Sequence, residues 1–424
     1  MSKIAVIGTG YVGLTTGACF SALGHDVVCA DIDTEKVAAL NRGEIPILEA
    51  GIDKLVEEGV EAGRLRFVVG SVNAAADCEF AYLCVPTPQA ADGSADLTYI
   101  QAAAQEIAPV LPAESVVVNK STVPVGSTRV VEKALGRDDV SVVSNPEFLR
   151  EGSAVHDFMN PDRIVIGADD QSAAIKVASL YLGVTAPLVV TDPASAETIK
   201  YAANSFLATK ISFVNAVAAI CEAVGADIND VVLGIGYDKR IGHEFLKPGP
   251  GFGGSCFPKD TRAMVKIAEE AGYDFDLLRG VIEVNDEQFD RTAEKAVTLV
   301  GGDVSGTQVA AWGLTFKART DDLRESPSLE VLQRLIDRGA KVRAYDPAVS
   351  TSPREGIEVA TDPYEACDGA DVLLVLTEWD EFKWLDLDEV KSRMAQPNVV
   401  DARNLLDRSA LRRRGFGFRG VGRN

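Results

Sequence analysis

Short apolar runs alternate with stretches of helical period through the first half of the chain. Residues 4–7, 26–30, 80–85, 115–119, 140–144 and 163–166 have the length and β-branched content of buried strands. Segments 12–23 and 98–110 between them carry the helical period. Such alternation predicts a mostly parallel sheet with helices on both faces. The pattern then changes. From 194 to 224 it is helical throughout, with Asp192-Pro193 as a start and Gly225 as a stop. A helix of that length suits a spine between domains or subunits. Two more helical stretches, 261–271 and 277–299, end near Gly301-Gly302.

The alternation resumes in the last part. Residues 308–312 form a strand pattern ending at Gly313, and 328–338 form a helix pattern. Gly339-Ala340-Lys341-Val342 then leads into a strand ending at Asp346, the frame already used by Gly24-His25-Asp26-Val27 and a strand ending at Asp31. The run 81–85 with Pro86-Thr87-Pro88 has its counterpart in 372–376 with Thr377-Glu378-Trp379. The sequence therefore predicts an α/β chain of two related doubly wound domains, residues 1–192 and 303–424, joined by a helical middle, 193–302. A length of 424 residues suits two or three domains of this kind.

Charge and cysteine content narrow the classes. A formal net charge of −21 leaves no basic surplus to displace counterions, which argues against a nucleic-acid partner. The one basic cluster, Arg412-Arg413-Arg414, reads as a solvated turn before a short strand at 416–418. No long uncharged apolar run spans a bilayer, and the first residues already read as a strand, so the expectation is a cytoplasmic protein without a membrane partner. The seven cysteines are odd in number and no close pair has metal-ligand spacing, so no metal site is expected. Most lie in apolar runs; Cys256 does not. His25, His156 and His243 have no partner spacing and are assigned structural roles.

Gly8-Thr9-Gly10-Tyr11-Val12-Gly13 follows a strand and opens a helix, the context of a dinucleotide-binding (Rossmann-like) turn. Gly8 makes the turn, Gly10 admits a pyrophosphate, Gly13 packs helix on sheet, and the helix N-terminus faces the phosphates. Asp31, roughly 20 residues on, ends the second strand where an acid holds ribose hydroxyls. A carboxylate there repels a 2′-phosphate and favours NAD over NADP.

The other chemical signal is Gly251-Phe252-Gly253-Gly254-Ser255-Cys256-Phe257-Pro258-Lys259-Asp260. Its glycines allow close approach of backbone amides to a ligand, and Pro258 suits the first turn of a helix. A thiol at a helix N-terminus loses its proton more easily than a free one and becomes a nucleophile. A packed structural cysteine is the alternative, against which the polar, flexible loop argues. Lys200 and Asn204, four apart, share one face of the long helix. Asp260, four beyond Cys256, is either a base near the thiol or a helix N-terminal acid.

This loop resembles the active-site motif of the UDP-glucose/GDP-mannose dehydrogenase family, in its UDP-glucose branch. The resemblance extends over nearly the whole chain: Lys120-Ser121-Thr122-Val123-Pro124-Val125-Gly126, Asn145-Pro146-Glu147-Phe148-Leu149-Arg150-Glu151-Gly152, Glu197-Thr198-Ile199-Lys200 with Asn204, Phe245-Leu246-Lys247-Pro248-Gly249, Gly313-Leu314-Thr315-Phe316-Lys317 and Arg324-Glu325-Ser326 appear in the family's order. It implies a four-electron oxidation of C6 of UDP-glucose by NAD. Cys256 would carry the thiohemiacetal and thioester, and water activated by Glu147 or Asp260, oriented by Thr122, would release the uronate. It places Tyr11, Val12, Lys36, Pro86, Thr87, Ser121, Thr122, Glu151 and Arg324 beside the cofactor. It places Phe148, Leu149 and Arg150 at the base, and Phe245, Leu246, Lys247, Gly251 and Lys317 at the diphosphate, with Glu151, Lys200 and Asn204 also on the substrate. Arg240 would reach a neighbouring subunit's substrate, which implies a homodimer or larger assembly with the 194–224 helix at its interface. Arg403 matches a late substrate arginine, although Ala402 stands where the family usually has glycine. Dehydrogenases of UDP-N-acetylmannosamine or GDP-mannose share these motifs. A hydroxy-acid dehydrogenase or a non-catalytic NAD sensor would have no use for the thiol.

Overall fold

The central strands are apolar at nearly every position because helices cover both faces of each sheet. In the computed structural model, which describes residues 1–90 and 93–423, the chain forms two compact units: Met1–Ala203 with Arg262–Ala271, and Asn204–Thr261 with Gly272–Asn424.

The first unit is built on eight strands: β1 (Lys3–Ile7), β2 (Asp26–Asp31), β3 (Leu65–Val69), β4 (Phe80–Leu83), β5 (Val116–Asn119), β6 (Ser141–Ser144), β7 (Ile164–Gly167) and β8 (Leu188–Thr191). They lie in the order β3-β2-β1-β4-β5-β6-β7-β8. The first six are parallel, β7 joins β6 antiparallel at Ser144 and Gly167, and β8 runs parallel to β7. The order reverses between β1 and β4, and the crevice outside the carboxyl ends of such strands is where ligands bind. One core packs Leu14, Phe20, Tyr82 and Phe158 on one face of the sheet; the other packs Ile100, Ile107 and Leu135 on the opposite face.

The second unit repeats the plan. Its strands β9 (Gln308–Trp312), β10 (Lys341–Tyr345), β11 (Ile357–Val359), β12 (Val372–Val375), β13 (Asn398–Asp401) and β14 (Gly417–Gly420) lie in the order β11-β10-β9-β12-β13-β14, all parallel. The two sheets also share a detail. After β1, Asp31 accepts hydrogen bonds from the Thr9 amide (2.9 Å) and hydroxyl (2.6 Å); after β9, Asp346 accepts them from the Thr315 amide (3.1 Å) and hydroxyl (3.0 Å). The copies differ in what remains open. Asp346 is 2% exposed and further closed by the Leu314 amide at 2.7 Å and the Trp379 indole at 3.2 Å. A ribose cannot reach it, so this sheet does not repeat the dinucleotide mode of the first.

The spine helix runs Pro193–Val224, with Asp192 accepting from the Ser195 amide at its start and Gly225 at φ 76° at its end. Length and apolar content alone would let it cross a membrane. Its polar side chains are nevertheless fixed within the folded units. Glu197 and Lys200 bond to loops of the first; Ser212 donates to the Val281 carbonyl and Glu222 pairs with Lys295 in the second. Val214, Ala218 and Cys221 enter the second unit's core. A short helix, Ile228–Gly236, follows. The two further helices expected from the sequence are Phe257–Glu270, which starts ahead of the expected 261, and Asp276–Leu299.

Candidate active site

Three glycines shape the turn after β1. Gly8 has φ 97°, and a Cβ there would stand 2.7 Å from the Cys84 carbonyl oxygen; one on Gly13 would stand 1.9 Å from that of Gly8. A Cβ on Gly10 would meet nothing within 4 Å, so this is the open cradle that a pyrophosphate needs. The helix Tyr11–Ala22 begins there with no side-chain cap and no acid in its first turn, leaving its amides for an anion. Asp31 flanks the cradle. Burial pushes its carboxyl up, but the Thr9 hydroxyl and amide, Lys36 at 3.0 Å and the Asp33 amide outweigh it and hold the group at about 2. These residues fit a dinucleotide. The Tyr11 hydroxyl donates to Glu49 and accepts from the Gly152 amide, tying the turn to the loop that carries Glu151. Thr87 donates to the Thr122 carbonyl at 2.9 Å and Ser121 to the Val85 carbonyl at 2.7 Å, which joins the loops after β4 and β5; Pro86 is exposed beside them.

The same unit buries an ion pair. Lys200 on the spine helix donates to Glu147 Oε1 at 2.8 Å and to the Glu147 carbonyl at 2.7 Å, and the two residues are 4% and 5% exposed. Burial would raise the Glu147 carboxyl; the Lys200 ammonium, the Leu149 amide at 2.6 Å and the charge of Lys120 together hold it below the usual glutamate range. The Phe148 ring has two cations near it, Arg163 at 3.6 Å and Lys200 at 5.4 Å from its centroid. Arg150 is held by Asp157 at 2.6 Å. Neither Glu147 nor Lys200 is a solvated surface charge.

In the second unit Cys256 directly precedes the helix Phe257–Glu270, and its carbonyl accepts the Asp260 amide at 2.9 Å. Cys256 is partly exposed and its sulfur lies 3.5 Å from the Ser255 hydroxyl. The other six cysteines are buried, and burial pushes the thiols of Cys19, Cys78, Cys84 and Cys367 up to about 12. Asp260 is 0% exposed; it accepts from Asn204 at 2.6 Å and from Lys259 at 2.6 Å. The loop glycines have a packing reason of their own. A Cβ on Gly253 would stand 2.0 Å from the Glu325 carbonyl oxygen, one on Gly254 2.8 Å from the Phe316 ring, and one on Gly251 2.7 Å from the Phe289 ring. They make room for the protein's own neighbours, so the loop is pressed flat and held.

The remaining second-unit candidates fall into three groups. Phe245 has φ 61°, its ring is 6.1 Å from that of Phe257, and Glu325 and Asn404 are likewise left-handed. Such backbone persists only where surroundings enforce it, and it gathers at functional loops. Leu246 points into the core while Lys247 is exposed. Lys317 lies over the Phe316 ring at 5.3 Å, and Arg403 donates to the carbonyls of Leu376 (2.7 Å) and Phe316 (3.0 Å) and pairs with Glu378. Arg240 and Arg324 are exposed arginines paired within the chain to Asp238 and Asp322.

Comparison with known proteins accounts for this combination. Three models of the UDP-glucose/GDP-mannose dehydrogenase family match in order: the NAD binding domain at residues 2–185, the central domain at 194–287 and the UDP binding domain at 310–408. The chain belongs to the UDP-glucose/GDP-mannose dehydrogenase family. It is 48% identical to the UDP-glucose 6-dehydrogenase of Rhizobium meliloti (strain 1021), with 99% of each chain covered. Among solved structures it resembles a UDP-glucose dehydrogenase from the archaeon Pyrobaculum islandicum at 38% identity and TM-score 0.92, covering 100% of this chain and 98% of that one. It also resembles a UDP-D-ManNAc dehydrogenase from Pyrococcus horikoshii at 28% identity and TM-score 0.90, covering 99% of each. As a family member this chain is an NAD-dependent oxidoreductase.

The geometry of this family member also brings in residues that the motifs did not single out for a role. Lys120, 5% exposed, donates to Asn145 and to the Tyr181 hydroxyl, both at 3.2 Å, and anchors the loop that carries Glu147. Glu197 accepts the Gly126 amide and both the Thr128 amide and hydroxyl, capping the helix Ser127–Leu135 that follows the Thr122 loop. Asn215, Asn285 and Gln288 bond the loop ahead of Cys256. Their signal was present as polar residues at core-facing positions of helices: Asn285, Gln288 and Thr292 share a buried stripe with Leu278, Val281 and Phe289.

Proposed function

We propose that this enzyme oxidises the C6 alcohol of UDP-glucose to the carboxylate, with two NAD and one water consumed per sugar and Cys256 carrying the intermediates. The observation that carries the reading is Cys256: it alone of the seven cysteines escapes burial, and it stands at a helix start behind a loop with no slack. NAD, when bound, takes a hydride from C6 in each of two rounds. After the first, the Cys256 sulfur adds to the aldehyde carbon, and its proton passes to the former carbonyl oxygen. Lys200 and Asn204 stabilise the developing oxyanion. The second oxidation leaves a thioester, and water activated by Glu147 or Asp260, oriented by Thr122, cleaves the C–S bond and returns the thiol. The Gly8–Gly13 turn with Asp31 and Lys36 orients the cofactor. Arg403, Lys317, Gly251 and the segment 245–247 hold the nucleotide diphosphate. The division at 192 and 302 assigns these tasks to a cofactor domain, a middle domain with the thiol and a nucleotide domain. Purified protein given NAD and a panel of nucleotide sugars should form two NADH per molecule of UDP-glucose, with no aldehyde in solution. One NADH per sugar with aldehyde released rejects the mechanism, and faster turnover of a UDP-N-acetylhexosamine or GDP-mannose reassigns the sugar.

The spine helix favours a second copy of the chain as partner. Phe206, Phe213 and Ile220 recur every seven residues and are 65%, 56% and 60% exposed. An apolar seam of that period is complementary to itself across a two-fold axis. Arg240, in its exposed turn, then serves the neighbouring site. Sedimentation should give a dimer or larger even assembly, and Phe213→Glu should dissociate it; an active wild-type monomer rejects both statements.

A further inference from the structure

The segment 249–252 of the second unit makes an unusual set of hydrogen bonds. The Gly249 amide donates to Asn215 Oδ1 at 2.9 Å, and its carbonyl accepts from Gln288 Nε2 at 2.7 Å. The Phe252 amide donates to Asn285 Oδ1 at 2.7 Å, and its carbonyl accepts from Asn285 Nδ2 at 3.1 Å. Two residues of irregular backbone are thus bonded on both their polar groups by side chains of the helices Pro193–Val224 and Asp276–Leu299. The three amides are 1%, 6% and 4% exposed. Apolar residues at these helix positions would pack without desolvation cost, and Asn215 Nδ2 is a buried donor with no hydrogen-bond partner. The sequence has accepted that cost to hold this backbone. Between the bonded residues, Gly251 at φ 130° lies where a Cβ would strike Phe289 and Asn285; beyond them Gly253 is pressed on Glu325. Cys256 follows three residues later, so the clamp fixes the base of the arm that carries the thiol.

We propose that Asn285 and Gln288, together with Asn215, are positioning residues for the second oxidation: they hold the 249–252 backbone so that the Cys256 thiol captures the aldehyde before it escapes. The proposal rests on Cys256 being the nucleophile. Capture competes with release, and a nucleophile displaced by as little as an ångström loses much of its advantage. Loosening the clamp therefore affects how the aldehyde partitions more than the first hydride transfer.

The test uses the full-length protein with UDP-glucose, NAD and semicarbazide as aldehyde trap. Wild type, Gln288→Met, Asn285→Ser and Cys256→Ser are compared for NADH per sugar, trapped aldehyde, the single-turnover rate of the first NADH and NAD affinity. Gln288→Met keeps length and volume but loses the donor to Gly249. The expected result is trapped aldehyde at least tenfold above wild type and NADH per sugar between one and two in both clamp variants, with first-turnover rate and NAD affinity within twofold. Folded clamp variants that release no more aldehyde than wild type overturn the proposal. Wild-type uronate formation by Cys256→Ser overturns instead the nucleophile on which it rests. Hydrogen exchange on the wild type gives a test independent of the variants' folding. The amides of Gly249 and Phe252 should exchange as slowly as those of the Asp276–Leu299 helix, and exchange at the rate of an open loop overturns the clamp.

Discussion

Cys256→Ser should abolish uronate formation while leaving UDP-glucose binding nearly intact. The serine hydroxyl is close in size to the thiol, and the loop ahead of it is held by Asn215, Asn285 and Gln288 and pressed on Glu325 and Phe316, so its shape should survive. The chemistry should not. An alcohol ionises far above a thiol, and a helix N-terminus cannot make up the difference. Any hemiacetal that did form would oxidise to an oxygen ester, which hydrolyses less readily than a thioester. The loss should fall on kcat, by roughly a thousandfold or more, with KM changed by no more than about threefold. Slow partial turnover would leave a substrate-derived adduct, visible as added mass on the intact protein. Near wild-type uronate formation would mean that the second oxidation runs through a hydrated aldehyde, with Cys256 a bystander.

The fold was legible where periodicity was strong. The six expected strands of the first half correspond to β1, β2, β4, β5, β6 and β7, and the spine helix extends over Pro193–Val224 against the expected 194–224. What escaped were edges and short elements. β3 and β8 close the two ends of the first sheet, and β11, of three residues, closes one end of the second. Leu188, Val189 and Val190 of β8 are exposed, so the core imposes no alternation on them. β13, between β12 and the edge strand β14, has only two apolar residues, Val399 and Val400, between Asn398 and Asp401, too few to stand out as an apolar run. At the site, residue type and spacing drew attention to Cys256 and Asp31, and the resemblance to the family drew it to Lys200. They could not show what each side chain would bond to. That Lys200 pairs with Glu147, and Asn204 with Asp260, depends on a loop and a helix start brought to the spine helix from 53 and 56 residues away. The buried amides of Asn285 and Gln288 needed most of all the three-dimensional structure, because in sequence they only weaken an apolar stripe.

Lys200→Met should unfold the protein more readily at neutral pH, and the penalty should shrink as the solution is acidified. The substitution keeps the side chain's length and removes the only ammonium bonded to Glu147 among the described residues, leaving a carboxylate that is 5% exposed without its counter-charge. Breaking one side of a buried pair costs about 3–5 kcal/mol, because the remaining charge is stranded. The pH dependence follows from the direction of the Glu147 shift. Its folded-state value lies below that of an unfolded glutamate, near 4.3. In the wild type the stabilisation is therefore fully present above that unfolded value and is lost as pH falls through the depressed folded one. In Lys200→Met the lysine no longer opposes burial. The carboxyl should titrate at a higher pH than in wild type, and its protonation removes the stranded charge. The gap between the two proteins in urea unfolding should therefore be widest at pH 7 and narrow towards pH 5. Glu147→Gln in the same chain should recover most of the lost stability at pH 7, since both charges are then gone, and the double-mutant cycle reads the pair's coupling directly. Activity should part from stability. The double variant folds but lacks the ammonium proposed for the oxyanion and the carboxylate proposed for the water, so uronate formation should stay lost. A Lys200→Met protein within about 1 kcal/mol of wild type at pH 7 would show that Glu147 is held by the Leu149 amide and the charge of Lys120 alone. Recovered turnover in the double variant would show that the pair's contribution is structural.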